Sequence, residues 1–213
     1  MSAAGARRGI PFVVAAPSGT GKTTVCRRLL EGDPGLVFSV SHTTRPRRSG
    51  ERDGVDYHFV PKAEFDRLAA EGAFLESAVY NGNQYGTSWR AIEAPLAGGR
   101  DVLLEIEVQG ARQVRQRLPE ARLVFLLPPS LAALDARLRG RGANSPDEIA
   151  DRLETARGEL AAIREFDYAV VNEELGRCVE DVLAILRGER SGDAATVRAR
   201  FDPRSAAERF AAA

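Results

Sequence analysis

Apolar residues gather in five short runs, at residues 10–15, 36–40, 101–106, 122–127 and 168–171. Four of the five are close to unbroken. Strands that are apolar on both faces belong in a covered, parallel sheet. Between them, apolar positions recur at helical spacing over residues 23–31, 62–71, 108–117, 130–139, 146–165 and 175–187. Such alternation predicts an α/β fold, a three-layer core around about five parallel strands. The pattern changes over residues 41–54, which carry hydroxyls, arginines and turn residues and little apolar content. A short strand (56–60), the helix 62–71, a strand (74–80), the turn signal Asn81-Gly82-Asn83 and a helix from Ser88 follow. Residues 41–90 therefore read as a small mixed α/β lobe inserted into the core. Residues 1–8 read as a loose tail. The segment 189–213 is polar and Ala-rich, either helical or disordered, and carries no assigned chemistry.

The first strand runs directly into Ala16-Pro17-Ser18-Gly19-Thr20-Gly21-Lys22-Thr23-Thr24. A buried strand, a glycine-bearing turn, then a lysine and a hydroxyl opening a helix is the layout of a phosphate-binding P-loop. Gly19 and Gly21 let the backbone turn successive N–H groups toward one centre, where the helix N-terminus adds its partial positive charge. Lys22 is placed to reach the β- and γ-phosphates, and Thr23 to offer its hydroxyl to Mg²⁺. The strict pattern has glycine where this chain has Ala16, so the turn there must not be left-handed.

Composition narrows the partners. Lys+Arg total 30 and Asp+Glu total 30, so no net charge argues for nucleic acid or an anionic membrane. Only Lys22 and Lys62 are lysines, so an isolated arginine means little here. The P-loop lysine stands out because a compact point charge serves there and a wide fork does not. Cys26 and Cys178 lie far apart without metal-ligand spacing, which points to reduced thiols in a cytoplasmic protein. The apolar run at 10–16 is too short for a secretion signal and leads straight into the P-loop. No apolar stretch approaches the 18 or so residues of a membrane span.

The inserted lobe holds the second set of chemical groups. Arg45, Arg47 and Arg48 stand among Ser41, Thr43, Thr44 and Tyr57. Guanidinium forks suit phosphate oxygens and hydroxyls complete such a shell; the alternative is a solvated basic loop. Two phosphate sites in one chain imply phosphoryl transfer between two phosphate-bearing substrates. Glu76 follows Phe74-Leu75 on a strand, and a carboxylate there can accept the paired N1–H and 2-amino donors of guanine, which adenine lacks. Glu105 and Glu107 are expected on one strand face, Glu105 in the manner of a Walker-B acid that orients Mg²⁺ through water. Arg137, Arg141 and Arg152 flank the break Gly140-Arg141-Gly142-Ala143-Asn144-Ser145 and read as a lid, about 137–156, that closes on the phosphates. His42 and His58 have no acid or nucleophile partnership and are read as structural or surface residues.

Taken in order, these stretches resemble the guanylate kinase family in its bacterial, soluble type. The likeness covers roughly residues 9–187. It rests on the P-loop, on Ser39-Val40-Ser41-His42-Thr43-Thr44-Arg45 through Gly50-Glu51 to Asp53-Gly54-Val55-Asp56-Tyr57, and on Phe74-Leu75-Glu76 and Tyr85-Gly86-Thr87. Glu105-Ile106-Glu107-Val108-Gln109-Gly110, Gly140-Arg141-Gly142 and Val170-Val171-Asn172 complete it. The resemblance implies the P-loop nucleoside monophosphate kinase fold, with core 9–40, 91–136 and 157–188, acceptor lobe 41–90 and a helical lid. It implies ATP with Mg²⁺ as donor and GMP, with dGMP, as acceptor.

By matching positions, Ser41, Glu76, Thr87 and Glu107 would contact guanine, and Arg45, Arg48, Tyr57 and Tyr85 the GMP phosphate. Residues 16–24 would hold the ATP phosphates, with Thr23 on Mg²⁺ and Asn172 near the adenine. Lys22, Arg45, Arg48, Arg137, Arg141 and Arg152 would stabilise the transferring group. Glu107 stands where the family often has aspartate. Pro46 follows Arg45 directly, one residue earlier than usual, which changes the local turn. Two other readings use the same fold: an inactive interaction module, which would have a degraded P-loop, and a P-loop kinase for another phosphorylated acceptor. A nucleic-acid-binding role is argued against by the balanced charge.

Overall fold

A computed structural model describes residues 7–80, 82–140 and 145–212. The chain begins with β1 (Pro11–Ala15), α1 (Lys22–Gly32) and β2 (Leu36–Phe38). The inserted stretch gives β3 (His42–Thr43), β4 (His58–Phe59), α2 (Lys62–Ala70), β5 (Phe74–Tyr80), β6 (Asn83–Ser88) and α3 (Trp89–Ala97). Then come β7 (Asp101–Glu105), α4 (Val108–Arg117), β8 (Arg122–Leu127), α5 (Leu131–Arg139) and α6 (Pro146–Leu160). The last elements are β9 (Tyr168–Val171), α7 (Leu175–Ser191), α8 (Ala194–Arg200) and α9 (Pro203–Ala211). The five apolar runs form a five-stranded sheet in the order β2-β7-β1-β8-β9, with parallel pairing in β2/β7 and β8/β9. A second sheet has the order β4-β3-β6-β5.

Several expectations change. The helix expected over 146–165 ends at Leu160 and tightens into a 3₁₀ turn, Ala161–Glu165. The strands β3 and β6 replace what reads as loop. The segment after residue 188 is helical: α7 continues to Ser191, stops at the left-handed Gly192, and is followed by α8 and α9. Asn81 and residues 141–144 lie outside the described residues.

Contacts divide the chain into two compact units. One comprises the chain up to Phe12 with Gly35–Ala121, and the other Val13–Pro34 with Arg122 onward. The first unit is built on β7, whose Val102, Leu103 and Leu104 are fully buried, and on an aromatic pair under the second sheet. Phe65 of α2 stacks on Phe74 of β5 at 4.6 Å between ring centroids. Asp101 is buried at the start of β7; its carboxylate accepts the Ile10 N–H at 2.7 Å and pairs with Arg7. A buried charge with two donors is tolerable where a bare one is not.

The second unit packs α1 and α7 together and sets β8 against β9. Its α6 starts with a capping box: Ser145 Oγ accepts from the Glu148 N–H, and the Glu148 carboxylate accepts from the Ser145 N–H. Its C-terminal helices seal an edge. β9 ends the sheet order, and an edge strand shows bare backbone groups. Here the Ala169 N–H donates to the carbonyl of Phe201, between α8 and α9, at 2.9 Å. Val197, Phe201 and Ala206 are buried in the same packing. Glu189 near the end of α7 ties these parts together, accepting from Tyr168 and pairing with Arg122 at 2.8 Å and Arg198 at 3.5 Å. Burial works against the Glu189 carboxylate, yet its hydrogen bonds from Tyr168 and Arg122 hold it below the usual carboxylate range. Burial and the bond to Glu189 push the Tyr168 phenol up to about 12.

Deleting residues 193–213 re-exposes the Ala169 N–H and the apolar surface under Val197 and Phe201. Burying one such side chain contributes about 1.5–3 kcal/mol, and each kcal/mol moves the midpoint by about 2–4 °C in a chain of this size. For the two side chains together, thermal unfolding should show a drop of about 6–24 °C; an unchanged midpoint would show that α8 and α9 are not part of the packed unit.

Candidate active site

The P-loop belongs to the second unit. All five residues of β1 are buried, so the strand is a fixed platform for the turn that follows. Gly19 and Gly21 take φ of +93° and +97°, the left-handed region where a Cβ is strained. Thr20 between them is fully buried. Its N–H donates to the Pro17 carbonyl at 3.1 Å. Its own carbonyl accepts from Asn172 Nδ2 at 2.7 Å and from Arg137 Nη1 at 3.3 Å. α1 starts at Lys22 with Gly21 as N-cap, so no N-cap side chain occupies the helix end. A helix that begins on glycine suits an anion at its N-terminus.

Arg137 and Arg152, expected on a lid, both reach this loop in the structure. Arg137 lies in the last turn of α5 and also donates to the Asn172 carbonyl at 2.8 Å. Arg152 of α6 donates through Nη2 to Ser18 Oγ at 2.6 Å. Arg141 lies outside the described residues. Leu134 and Leu138 of α5 close over Gly19: a Cβ there would meet them at 3.0 and 2.8 Å. Asn172 is buried, with its amide engaged by the Thr20 carbonyl. That contact supports the loop backbone, a task the sequence spacing does not reveal. Lys22 is half-buried and Thr23 and Thr24 are exposed on the first turn of α1.

The first unit carries the second set. Glu76 is 3% exposed and its Oε1 accepts the Thr87 N–H at 2.9 Å. The hydroxyls of Ser41 and Thr87 lie 3.1 Å apart, both buried. The pairing of β5 with β6 slips between Phe74 and Glu76. This irregularity lets Phe74, Leu75 and Glu76 all be buried in succession, which strict alternation forbids. The result is a buried acceptor beside two hydroxyls, complementary to a ligand edge with adjacent N–H donors.

Glu105 and Glu107 do not share a strand face. β7 stops at Glu105, Ile106 turns into the core, and Glu107 becomes the N-cap of α4, its carbonyl accepting the Ala111 N–H at 2.9 Å. The switch from strand to helix breaks the two-residue period on which that expectation rested. Both carboxylates are half-buried.

Arg45, Tyr57 and Tyr85 form one cluster. The Arg45 guanidinium sits 5.5 Å from the Tyr57 ring centroid and 5.7 Å from that of Phe59. The Tyr57 and Tyr85 rings meet edge-on at 5.9 Å. Arg45 Nη2 pairs with Glu51 Oε1 at 2.7 Å and Nη1 donates to the Pro46 carbonyl at 2.8 Å. Glu51 also accepts the Arg48 N–H at 2.7 Å. The hydrogen bond from Arg45 holds the Glu51 carboxyl below its usual range. The side chains of Arg47 and Arg48 are exposed. Spacing alone suggests no role for Glu51; its six-residue distance from Arg45 hides a contact that only the loop's fold creates. His42 and His58 pair across β3 and β4 with rings 4.7 Å apart. Burial, then the neighbouring His58, keeps His42 below its ordinary value, which is a structural setting.

Asn172 offers the clearest test of the loop geometry. Asn172→Ala removes the side-chain donor behind Thr20 and should weaken nucleoside triphosphate binding about tenfold, an effect on the order of one hydrogen bond. Calorimetric titration that finds the affinity unchanged would remove Asn172 from the loop's support.

Comparison with known proteins agrees with this architecture. The guanylate kinase family model matches residues 8–189. The guanylate kinase of Neisseria meningitidis serogroup A is 53% identical over 184 residues, covering 86% of this chain and 90% of that one. That of Aromatoleum aromaticum is 51% identical over 182 residues, covering 85% and 89%. Among solved structures, the guanylate kinase from Anaplasma phagocytophilum superposes with a TM-score of 0.73 at 34% identity, covering 86% of this chain and 87% of its own. With its P-loop, its buried Glu76 and these relatives, the chain belongs to the guanylate kinase family.

Proposed function

We propose that the chain transfers the γ-phosphoryl group of ATP to GMP, and to dGMP, yielding ADP and GDP or dGDP. The buried Glu76 carboxylate beside Ser41 and Thr87 carries the choice of acceptor. Guanine offers N1–H and the 2-amino group side by side, and a carboxylate accepts both; adenine has an acceptor at N1. Glu107 adds a second acceptor from the start of α4. Arg45, Arg48, Tyr57 and Tyr85 take the GMP phosphate, with Glu51 keeping the Arg45 fork oriented until the phosphate arrives.

Residues 16–24 hold the donor phosphates and Lys22 neutralises their charge. Arg137 and Arg152 brace the loop through Thr20 and Ser18 and add positive charge for the transferring group, the role also assigned to Arg141. A phosphate oxygen of GMP is already an anionic nucleophile, so no general base is needed. Its lone pair forms the new bond to the γ-phosphorus as the bond to the β,γ-bridging oxygen breaks and ADP leaves with that electron pair. Catalysis is then alignment and charge neutralisation.

The Thr23 hydroxyl at the start of α1 is a hard oxygen of the kind Mg²⁺ takes, and Glu105 is assigned to orient its waters; no group of three His, Cys, Asp or Glu side chains among the described residues forms a protein cage. Mg²⁺ in such sites draws its remaining ligands from substrate phosphates and water. When bound it offsets phosphate charge and orients the phosphate chain. Both cysteines are buried thiols, and no helix among the described residues is long and apolar enough to cross a membrane. A cytoplasmic setting, where ATP and GMP are present, suits both observations.

A coupled assay with ATP and Mg²⁺ against GMP, dGMP, AMP, CMP and UMP tests this directly. GMP and dGMP should turn over at least about 100-fold faster than the others, and Lys22→Met should lose nearly all turnover while keeping its circular dichroism spectrum. Efficient use of AMP, or wild-type turnover in Lys22→Met, would overturn the assignment.

A further inference from the structure

One face of α4 fixes the backbone on both sides of Glu76. Gly110, Gln113 and Arg117 are spaced i, i+3 and i+7, so they lie along one stripe of the helix. β5 is the outer strand in the order β4-β3-β6-β5, and among the described residues its far side has no strand to pair with. Gln113 takes that strand's place. Its Oε1 accepts the Ser77 N–H at 3.1 Å and its Nε2 donates to the Ser77 carbonyl at 2.7 Å. Two bonds from one planar amide to one residue fix both position and tilt of that peptide. On the other side of Glu76, Arg117 Nη1 donates to the carbonyls of Phe74 and Leu75 at 3.1 and 3.0 Å. These are the carbonyls of the irregular step that turns Glu76 inward.

Gly110 sets the third boundary. A Cβ on it would lie 2.5 Å from Glu76 Oε2 and 3.1 Å from Cδ, so the carboxylate rests directly on the helix backbone there. α4 also begins at Glu107, the other carboxylate assigned to the base. One rigid helix therefore carries Glu107 at its N-cap and holds the strand that carries Glu76. An exposed β5 edge could be solvated, and α4 already buries Val108, Ala111 and Val114.

We propose that Gln113 and Arg117 are positioning residues for guanine selection, acting through Glu76, with Gly110 supplying the room the carboxylate occupies. This rests on the reading of Glu76 as the guanine acceptor. A carboxylate held at both flanks presents its two oxygens in one plane. A carboxylate free to tilt keeps its charge but loses the paired geometry that distinguishes the 2-amino group. Selection between GMP and inosine monophosphate, which lacks that amino group, is therefore the sensitive readout.

The experiment is steady-state kinetics of Gln113→Met and Glu76→Gln, singly and together, with GMP and inosine monophosphate as acceptors. Gln113→Met should raise KM for GMP about tenfold, leave KM for ATP within twofold, and shrink the preference for GMP over inosine monophosphate at least threefold. Added to Glu76→Gln it should change KM for GMP by less than twofold, because residues acting through one group are not additive. Gln116→Ala, on the exposed side of α4, should match the wild type. An unchanged KM for GMP, parallel rises in both KM values, or an effect that multiplies in full on Glu76→Gln overturns the proposal. If Gln113→Met does not fold, Gln113→Glu, which keeps the acceptor and loses the donor, takes its place with the same expectations. Failure of the wild type itself to phosphorylate GMP would instead overturn the function assigned above.

Discussion

A carboxylate cannot be left bare in a protein interior. Moving an ion out of water costs several kcal/mol even after relaxation, so it must be met by donors or give up its charge. Glu76 is 3% exposed, and much of the first unit is arranged around that constraint. β6 exists to deliver the Thr87 N–H, β5 departs from regular pairing to aim the side chain inward, and α4 places a glycine where the carboxylate rests. Sheet, slip and helix are each modest features. Together they hold one buried carboxylate between a strand and a helix, beside the hydroxyls of Ser41 and Thr87.

The P-loop meets a comparable demand by the opposite route. Its problem is a backbone carbonyl turned the wrong way. For the loop to present N–H groups to phosphates, the Thr20 carbonyl must face inward, and it is received there by Asn172 and Arg137. Asn172 lies 152 residues away in sequence and Arg137 lies 117. The loop's shape therefore depends on residues drawn from α5 and from the end of β9, elsewhere in the second unit. Preorganisation of this kind removes the cost of ordering the loop when the phosphates bind.

Much of this was legible in the chain. The five core strands announced themselves because strands buried on both faces need unbroken apolar runs, and Arg122–Leu127 is one. The P-loop was legible because only glycine tolerates the φ of residues 19 and 21. The short strands β3 and β6 were not. Asn83–Ser88 reads as turn and polar residues because it has no apolar run, and only its pairing with β3 and β5 makes it a strand. The shared strand face expected of Glu105 and Glu107 failed because nothing local marks where β7 gives way to α4. Glu51, Asn172 and Gln113 act through contacts made by folding, so no spacing could expose them. The helices α8 and α9 lie beyond the matched family residues, and three large apolar side chains, Val197, Phe201 and Phe210, are too few to give a periodic signal.

The central claim is that a buried carboxylate, and not the P-loop, decides which nucleotide receives the phosphate. Calorimetric titration of Glu76→Gln with GMP and, separately, with ATP tests it most directly. The amide removes one acceptor and introduces a donor that faces the guanine donors, while leaving the second unit untouched. GMP should bind at least about tenfold more weakly and ATP within twofold of the wild type, in line with the loss of a charged hydrogen bond. Equal weakening of both ligands, or GMP affinity unchanged, would contradict the account.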